Sequence, residues 1–254
     1  MAGQSRSGTT PRSRNRGGSA SLYVAVALIA VAAIALAYMA LSGVHIGGPA
    51  SGSSLAESTA TSEPVATPVQ AAPQPVSVAL VSDEDGNVAG SWWSQSVSAG
   101  AVPGVQSGPV ASQAGATIET LAGLLDSATV PAGGFVVVQA GTPELADGQD
   151  PAEVLLSVQS LWAGVRERGG IPIAALVPPS DDEPAAVAQF NELMRAAAAT
   201  QTVPVLDVYT AVAAADGSWA PGFSDDGVQV SAAGSTVMAQ AVVAQLPALA
   251  VTAP

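Results

Sequence analysis

From residue 76 onward, short runs of almost purely apolar, β-branched residues alternate with segments of helical period, and this alternation constrains the fold more than any other feature. The runs are Val76–Val81 (VSVALV), Gly134–Ala140 (GFVVVQA), Ile171–Val177 (IPIAALV) and Val203–Val208 (VPVLDV), with a weaker one at Val105–Ala111. A strand with one wet face alternates apolar and polar residues. Near-continuous apolarity means burial on both faces, as in a parallel sheet covered by helices. The helices show in their caps. Asp150-Pro151-Ala152-Glu153 offers an N-cap, a proline at the first helical position and a glutamate three residues beyond the cap. Val154, Val158, Leu161, Trp162 and Val165 follow at helical spacing until Gly169-Gly170. Pro184 opens a second helix, with Val187, Phe190, Leu193 and Met194 on one face. A third covers Thr117–Ser127 with Ile118, Leu121 and Leu125, and Ser231 caps a last one with Val237, Met238, Val242 and Leu246 turned inward. These elements predict an α/β fold: a three-layer sandwich with a flavodoxin-like, mostly parallel five-stranded sheet.

Ahead of this region, Leu22–Leu41 (LYVAVALIAVAAIALAYMAL) runs twenty residues without a charge. At ~1.5 Å per residue it spans ~30 Å, the thickness of bilayer hydrocarbon. Four of the seven arginines, Arg6, Arg12, Arg14 and Arg16, precede it, and no acid occurs before Glu57. The basic flank should stay in the cytoplasm and put the rest outside. A cleaved signal peptide is the rival reading, but such apolar cores run only ~7–15 residues. The expected organisation is a basic cytoplasmic tail at 1–20, one transmembrane signal anchor at 21–44, a flexible Ser/Thr/Pro/Ala-rich linker at 45–75, and an extracytoplasmic domain at 76–254. The membrane is thus one expected partner, through residues 21–44.

Composition removes several function classes. The chain has no cysteine, no lysine, one histidine and a net charge of −13, and residues 45–254 carry 20 acids against 3 bases. Thiol chemistry and a cysteine zinc site are excluded, and so is the basic surface that nucleic-acid phosphates require. No glycine-rich phosphate loop or histidine metal spacing occurs, and no cofactor or metal is expected.

In such folds ligands collect at the carboxyl ends of the strands. The segments there are Ser82-Asp83-Glu84-Asp85-Gly86, then Trp92-Trp93, Ser112–Thr117, Gly141-Thr142-Pro143-Glu144, and Asp225-Asp226-Gly227-Val228-Gln229-Val230-Ser231. In order and spacing, these blocks make residues 76–254 resemble the SGNH/GDSL hydrolases, a family of esterases, lipases and acetyl hydrolases. The closest likeness is DDGVQVSAAGSTVMAQAV, which resembles the family's D-G-V-H-x-S-x-x-G segment opening the final helix. The resemblance implies a serine nucleophile in the first block, and an aspartate and histidine in the last. Its oxyanion hole would take the serine amide, a glycine of the second block and an asparagine of the third.

At those places this chain has Glu84 for the serine, Gly115 for the glycine, Pro143 for the asparagine, Asp226 for the aspartate and Gln229 for the histidine. Independently of any alignment, the only histidine is His45, some thirty residues before the domain. A serine hydrolase needs a base to take the hydroxyl proton and return it to the leaving group. Gln229 cannot titrate near neutral pH, and Pro143 has no amide to offer an oxyanion. The degenerate signature predicts a pseudoenzyme that binds or scaffolds a cell-envelope component, such as a cell-wall glycan or an envelope protein. The alternative is an envelope esterase or acetyl hydrolase using displaced residues, Ser82 or Ser91 among them. Asp83, Glu84, Trp92, Glu144, Asp226 and Gln229 are the candidate cleft residues. Carboxylates gathered there could also hold a hard cation or work as an acid–base pair on a glycoside, but solvated loop-tip acids are the plainer expectation.

Overall fold

The computed structural model describes residues 74–125 and 129–250. The tail, anchor and most of the linker predicted from the sequence lie outside these residues. Five strands form one parallel sheet in the order β2-β1-β3-β4-β5: β1 (Val76–Ser82), β2 (Val105–Ser112), β3 (Phe135–Gln139), β4 (Ile171–Ala175) and β5 (Val205–Leu206). Side-chain alternation splits each strand between two apolar clusters. Ala79, Val81, Val136, Val138, Ala174 and Leu176 pack with α2 (Ile118–Leu124), α4 (Pro151–Glu167) and α5 (Pro184–Thr200). Val78, Leu80, Phe135, Val137, Ile173 and Ala175 pack with α1 (Trp92–Ser96) and α6 (Ala232–Leu249). Between them, α3 (Thr142–Ala146) is a single short turn leaving β3.

A proline stands in or beside each edge strand: Pro109 in β2, the run that is weaker in the sequence, and Pro204 just ahead of β5. In β2 the register slips between Val78 and Leu80 of β1, and Gly108-Pro109 occupy the slip. A Cβ on Gly108 would lie 3.1 Å from the Ala79 amide nitrogen, a crowded approach that glycine relieves. Pro109 has no N–H to give a ladder, which an edge tolerates. At the other edge β5 shrinks to two residues, because Pro204 can only accept, as it does from the Ala174 amide at 2.9 Å.

Helix ends follow the caps read from the sequence. Asp150 accepts from the Ala152 amide at 2.8 Å, and Ser231 from the Gly234 amide at 3.2 Å. Gly170 closes α4 by donating to the Val165 carbonyl. In α5, Val187, Phe190 and Met194 are buried as expected, while Leu193 is half-buried. In α6, Met238, Val242 and Leu246 are fully buried, but Val237 lies at the margin. By length and composition α6 is apolar enough to cross a membrane, with mean hydropathy 1.2. Its buried stripe against the sheet gives that apolarity a core role instead.

Candidate functional site

The carboxyl ends of β1, β2 and β3 are knitted together around Asp83. β1 delivers its last buried residue, Ser82, whose hydroxyl donates to Gln139 Oε1 at 3.0 Å. Gln139 in turn reaches the Leu176 carbonyl at 3.4 Å, crossing from β3 to β4. Asp83 is 3% exposed and accepts the Thr142 amide on Oδ2 at 2.8 Å, tying the first block to the third. Its own carbonyl accepts the Gly115 amide at 2.9 Å, tying in the second. Gly115 sits at φ +70°, where a side chain would be strained.

Glu84 stands one residue further out. Its Oε2 accepts the Trp92 indole N–H at 3.1 Å, and its amide donates to Ser82 Oγ at 3.0 Å. Trp92 is 2% exposed and stacks edge-on against the fully buried Trp93, with ring centroids 5.7 Å apart. The indole therefore positions Glu84 from within the core, and no broad face of it is open to a ligand. Glu144 is 8% exposed, with Oε1 taking the Ile118 amide at 2.7 Å. Pro143 lies in the first turn of α3 beside it.

Burial pushes the Asp83 carboxyl up to about 7, with the neighbouring carboxylates of Glu84 and Glu144 adding to the rise against the hydrogen bond from the Thr142 amide. Burial also raises the pKa of Glu84, opposed by the Trp92 indole. Asp83 Oδ1, Glu144 Oε2 and Thr142 Oγ1 are buried without a hydrogen-bond partner. Among the described residues no group of three such ligands is arranged to hold a metal ion.

The last block is built differently. Asp226 and Gln229 are exposed. Asp226 Oδ1 accepts the Val228 and Gln229 amides at 2.9 and 2.7 Å, which hold its pKa below the ordinary carboxylate value. That carboxylate shapes its own loop, and no hydrogen bond links Asp226 or Gln229 to Asp83 or Glu84. The loop is bracketed from the β4 side: the Asp181 amide donates to the Gly227 carbonyl at 2.9 Å, and Asp181 Oδ1 accepts from the Trp219 amide at 3.0 Å. Gly227, at φ +81°, leaves no room for a Cβ beside Asp181. The bracing role of Asp181 comes only from the folded chain.

Two further residues escaped sequence reading. Asn191, fully buried on α5, exchanges two hydrogen bonds with the backbone of Val177 beyond β4, at 3.1 and 2.9 Å. Gln139 was visible as the one amide in an apolar strand run, and that mismatch is the signal that could have marked it. Asp207 caps the turn after β5, accepting the Tyr209 and Thr210 amides. Burial alone would raise its pKa, but the Thr210 amide and hydroxyl and the Arg195 guanidinium hold it below the usual range.

A family model described as GDSL-like Lipase/Acylhydrolase matches residues 76–237. Solved structures of similar fold include a protein from Desulfitobacterium hafniense described as a lipolytic member of the G-D-S-L family. It has a TM-score of 0.57 at 17% identity, covering 66% of this chain and 98% of that one. A GDSL-like lipase from Bacteroides thetaiotaomicron has a TM-score of 0.54 at 18% identity, over 69% of this chain and 91% of that one. The M. smegmatis aryl esterase has a TM-score of 0.54 at 13% identity, over 68% and 99%. No curated protein sequence matches the chain.

Proposed function

The chain belongs to the GDSL-like lipase/acylhydrolase family, and we propose that its family site no longer cleaves esters and serves a membrane-anchored, extracytoplasmic binding domain. One observation carries this reading. Every group the chemistry would draw on is missing or already engaged. The nucleophile position is Glu84, whose carboxylate is bonded to Trp92. The amides of Glu84 and Gly115, the family's backbone oxyanion donors, donate to Ser82 Oγ and the Asp83 carbonyl. Pro143 supplies no side-chain donor, and Gln229 supplies no base. Ser82, the hydroxyl nearest the first block, is fully buried and committed to Gln139.

The scaffold is read as a three-layer sandwich, supported by an apolar cluster on each face of the sheet. Anchoring through residues 21–44 is supported by the uncharged Leu22–Leu41 run and the arginines before it. The partner would be an envelope component, a cell-wall glycan or another membrane protein.

The test is hydrolysis of p-nitrophenyl acetate by the full chain in detergent, beside the triple variant Glu84→Ser, Pro143→Asn, Gln229→His. The wild type should show no turnover above the buffer rate. Turnover that disappears on replacing Ser82, Glu84 or Ser91 would overturn the reading and expose a working nucleophile.

A further inference from the structure

A groove of about 560 Å³ runs between α2 and α4, starting at the rim of the family site and descending along the helices. That volume falls within the roughly 300–1,000 Å³ typical of small-molecule sites. Much of the α4 wall of the groove is small: Ser157, Ser160 and Gly164 lie at i, i+3 and i+7 on one helical face. Ile118 and Leu161 give it an apolar floor. The two serine hydroxyls donate to the carbonyls of Glu153 and Leu156, so their lone pairs remain as acceptors.

Opposite charges mark its two ends. Glu144 lines the end where α2 begins, since its Oε1 holds the Ile118 amide. Its Oε2 is buried with no donor, a costly state for a carboxylate. Gly164 lies against Leu125, just past the end of α2, so a Cβ there would sit 3.3 Å from Leu125 Cδ1. One turn on, Arg168 lines the far end and spends one N–H on the Gly164 carbonyl at 2.9 Å. Among the described residues the ion pairs are those of Arg195, and no described carboxylate pairs with Arg168. The span from one end to the other is that of α2, seven residues or ~10 Å.

We propose that this groove binds a short zwitterionic ligand of peptide type, its ammonium end on Glu144 and its carboxylate on Arg168. An extended tripeptide spans ~10 Å, which matches the separation set by α2. The ammonium supplies the donor that Glu144 Oε2 lacks, the serines accept from peptide N–H groups, and the guanidinium takes the carboxylate in charge-assisted bonds. The site is independent of whether the family cleft cleaves esters.

Titration calorimetry of the full chain in detergent tests the assignment, with trialanine as the probe. Trialanine should bind saturably, N-acetyl-trialanine should not, and Arg168→Gln should weaken binding about tenfold. Glu144→Gln should abolish binding, but it also touches the cap of α2. Ser157→Trp therefore provides the second variant: Ser157 is exposed, so an indole there fills the groove while the thermal melt stays unchanged. Absence of saturable trialanine binding, equal binding of the acetylated peptide, or binding that survives Ser157→Trp would each overturn the proposal.

Discussion

The ends of β1 and β3 and the loop before α6 both carry acidic residues, and they are held in opposite ways. Around Asp83 and Glu144 the carboxylates are buried, bonded across strands, and left with oxygens that no donor reaches. Asp226 is exposed and satisfied by amides two and three residues along its own loop. The first arrangement depends on the whole sheet and the second on five residues of chain. The acidic character common to both therefore has different energetic weight: carboxylates in a low-dielectric site perturb each other, while a solvated loop acid does little beyond fixing a turn.

Deleting the hydrogen-bond partner in each place sharpens this contrast. Trp92→Ala removes a buried indole and leaves Glu84 Oε2 without its donor, so urea unfolding followed by circular dichroism should show a loss of about 3–5 kcal/mol. A loss near that of a surface substitution would mean that the Glu84 pocket is not built as described.

The pH dependence comes next in size. With the folded carboxyl of Asp83 raised to about 7 against an ordinary value of 3.8, the native state holds a proton that the unfolded chain releases. Stability from this group is full below pH 4 and declines as pH rises toward 7, by up to roughly 3–4 kcal/mol. Asp83→Asn keeps an oxygen for the Thr142 amide and puts donors where the carboxylate has none. Unfolding midpoints measured from pH 4 to 8 should lose that decline and lie above wild type at pH 8. A wild-type profile that is flat or rises across this window would break the comparison.

The smallest effect belongs to the other region. Asp226→Ala should leave the unfolding midpoint close to that of the wild type in the same experiment, because solvent can replace the acceptor for both amides. A larger loss would show that the loop is coupled to the sheet through more than the Asp181 bracket.

Most of the scaffold is legible in the sequence itself. The helices at Pro151 and Pro184 and that capped by Ser231 announced themselves by local chemistry, and the β1, β3 and β4 runs by apolarity on both faces. The β2 run is weaker for a local reason too, since Gly108-Pro109 interrupts its ladder, while the Val203–Val208 run reads as a full strand and Pro204 leaves only Val205–Leu206 paired. The site was legible only as an inventory. Glu84, Pro143 and Gln229 could be named at family positions, but a string of residues does not disclose that Trp92 turns its indole inward to Glu84. Nor does it disclose that Ser82 is buried.

By itself, then, the sequence determined the alternation of strand and helix, the caps, the displacement of the only histidine and the absence of lysine and cysteine. Each of these is a property of residues or of neighbours within a few positions. Tertiary structure decided which carboxylates share a low-dielectric pocket, why Asn191 and Gln139 must be polar, and that a small-residue face of α4 opens a groove with Glu144 and Arg168 at its ends. Those outcomes join residues far apart in the chain, as the Asp83–Thr142 bond does across 59 positions. Hydrogen bonding and desolvation act through distances in space, which local patterns of sequence do not encode.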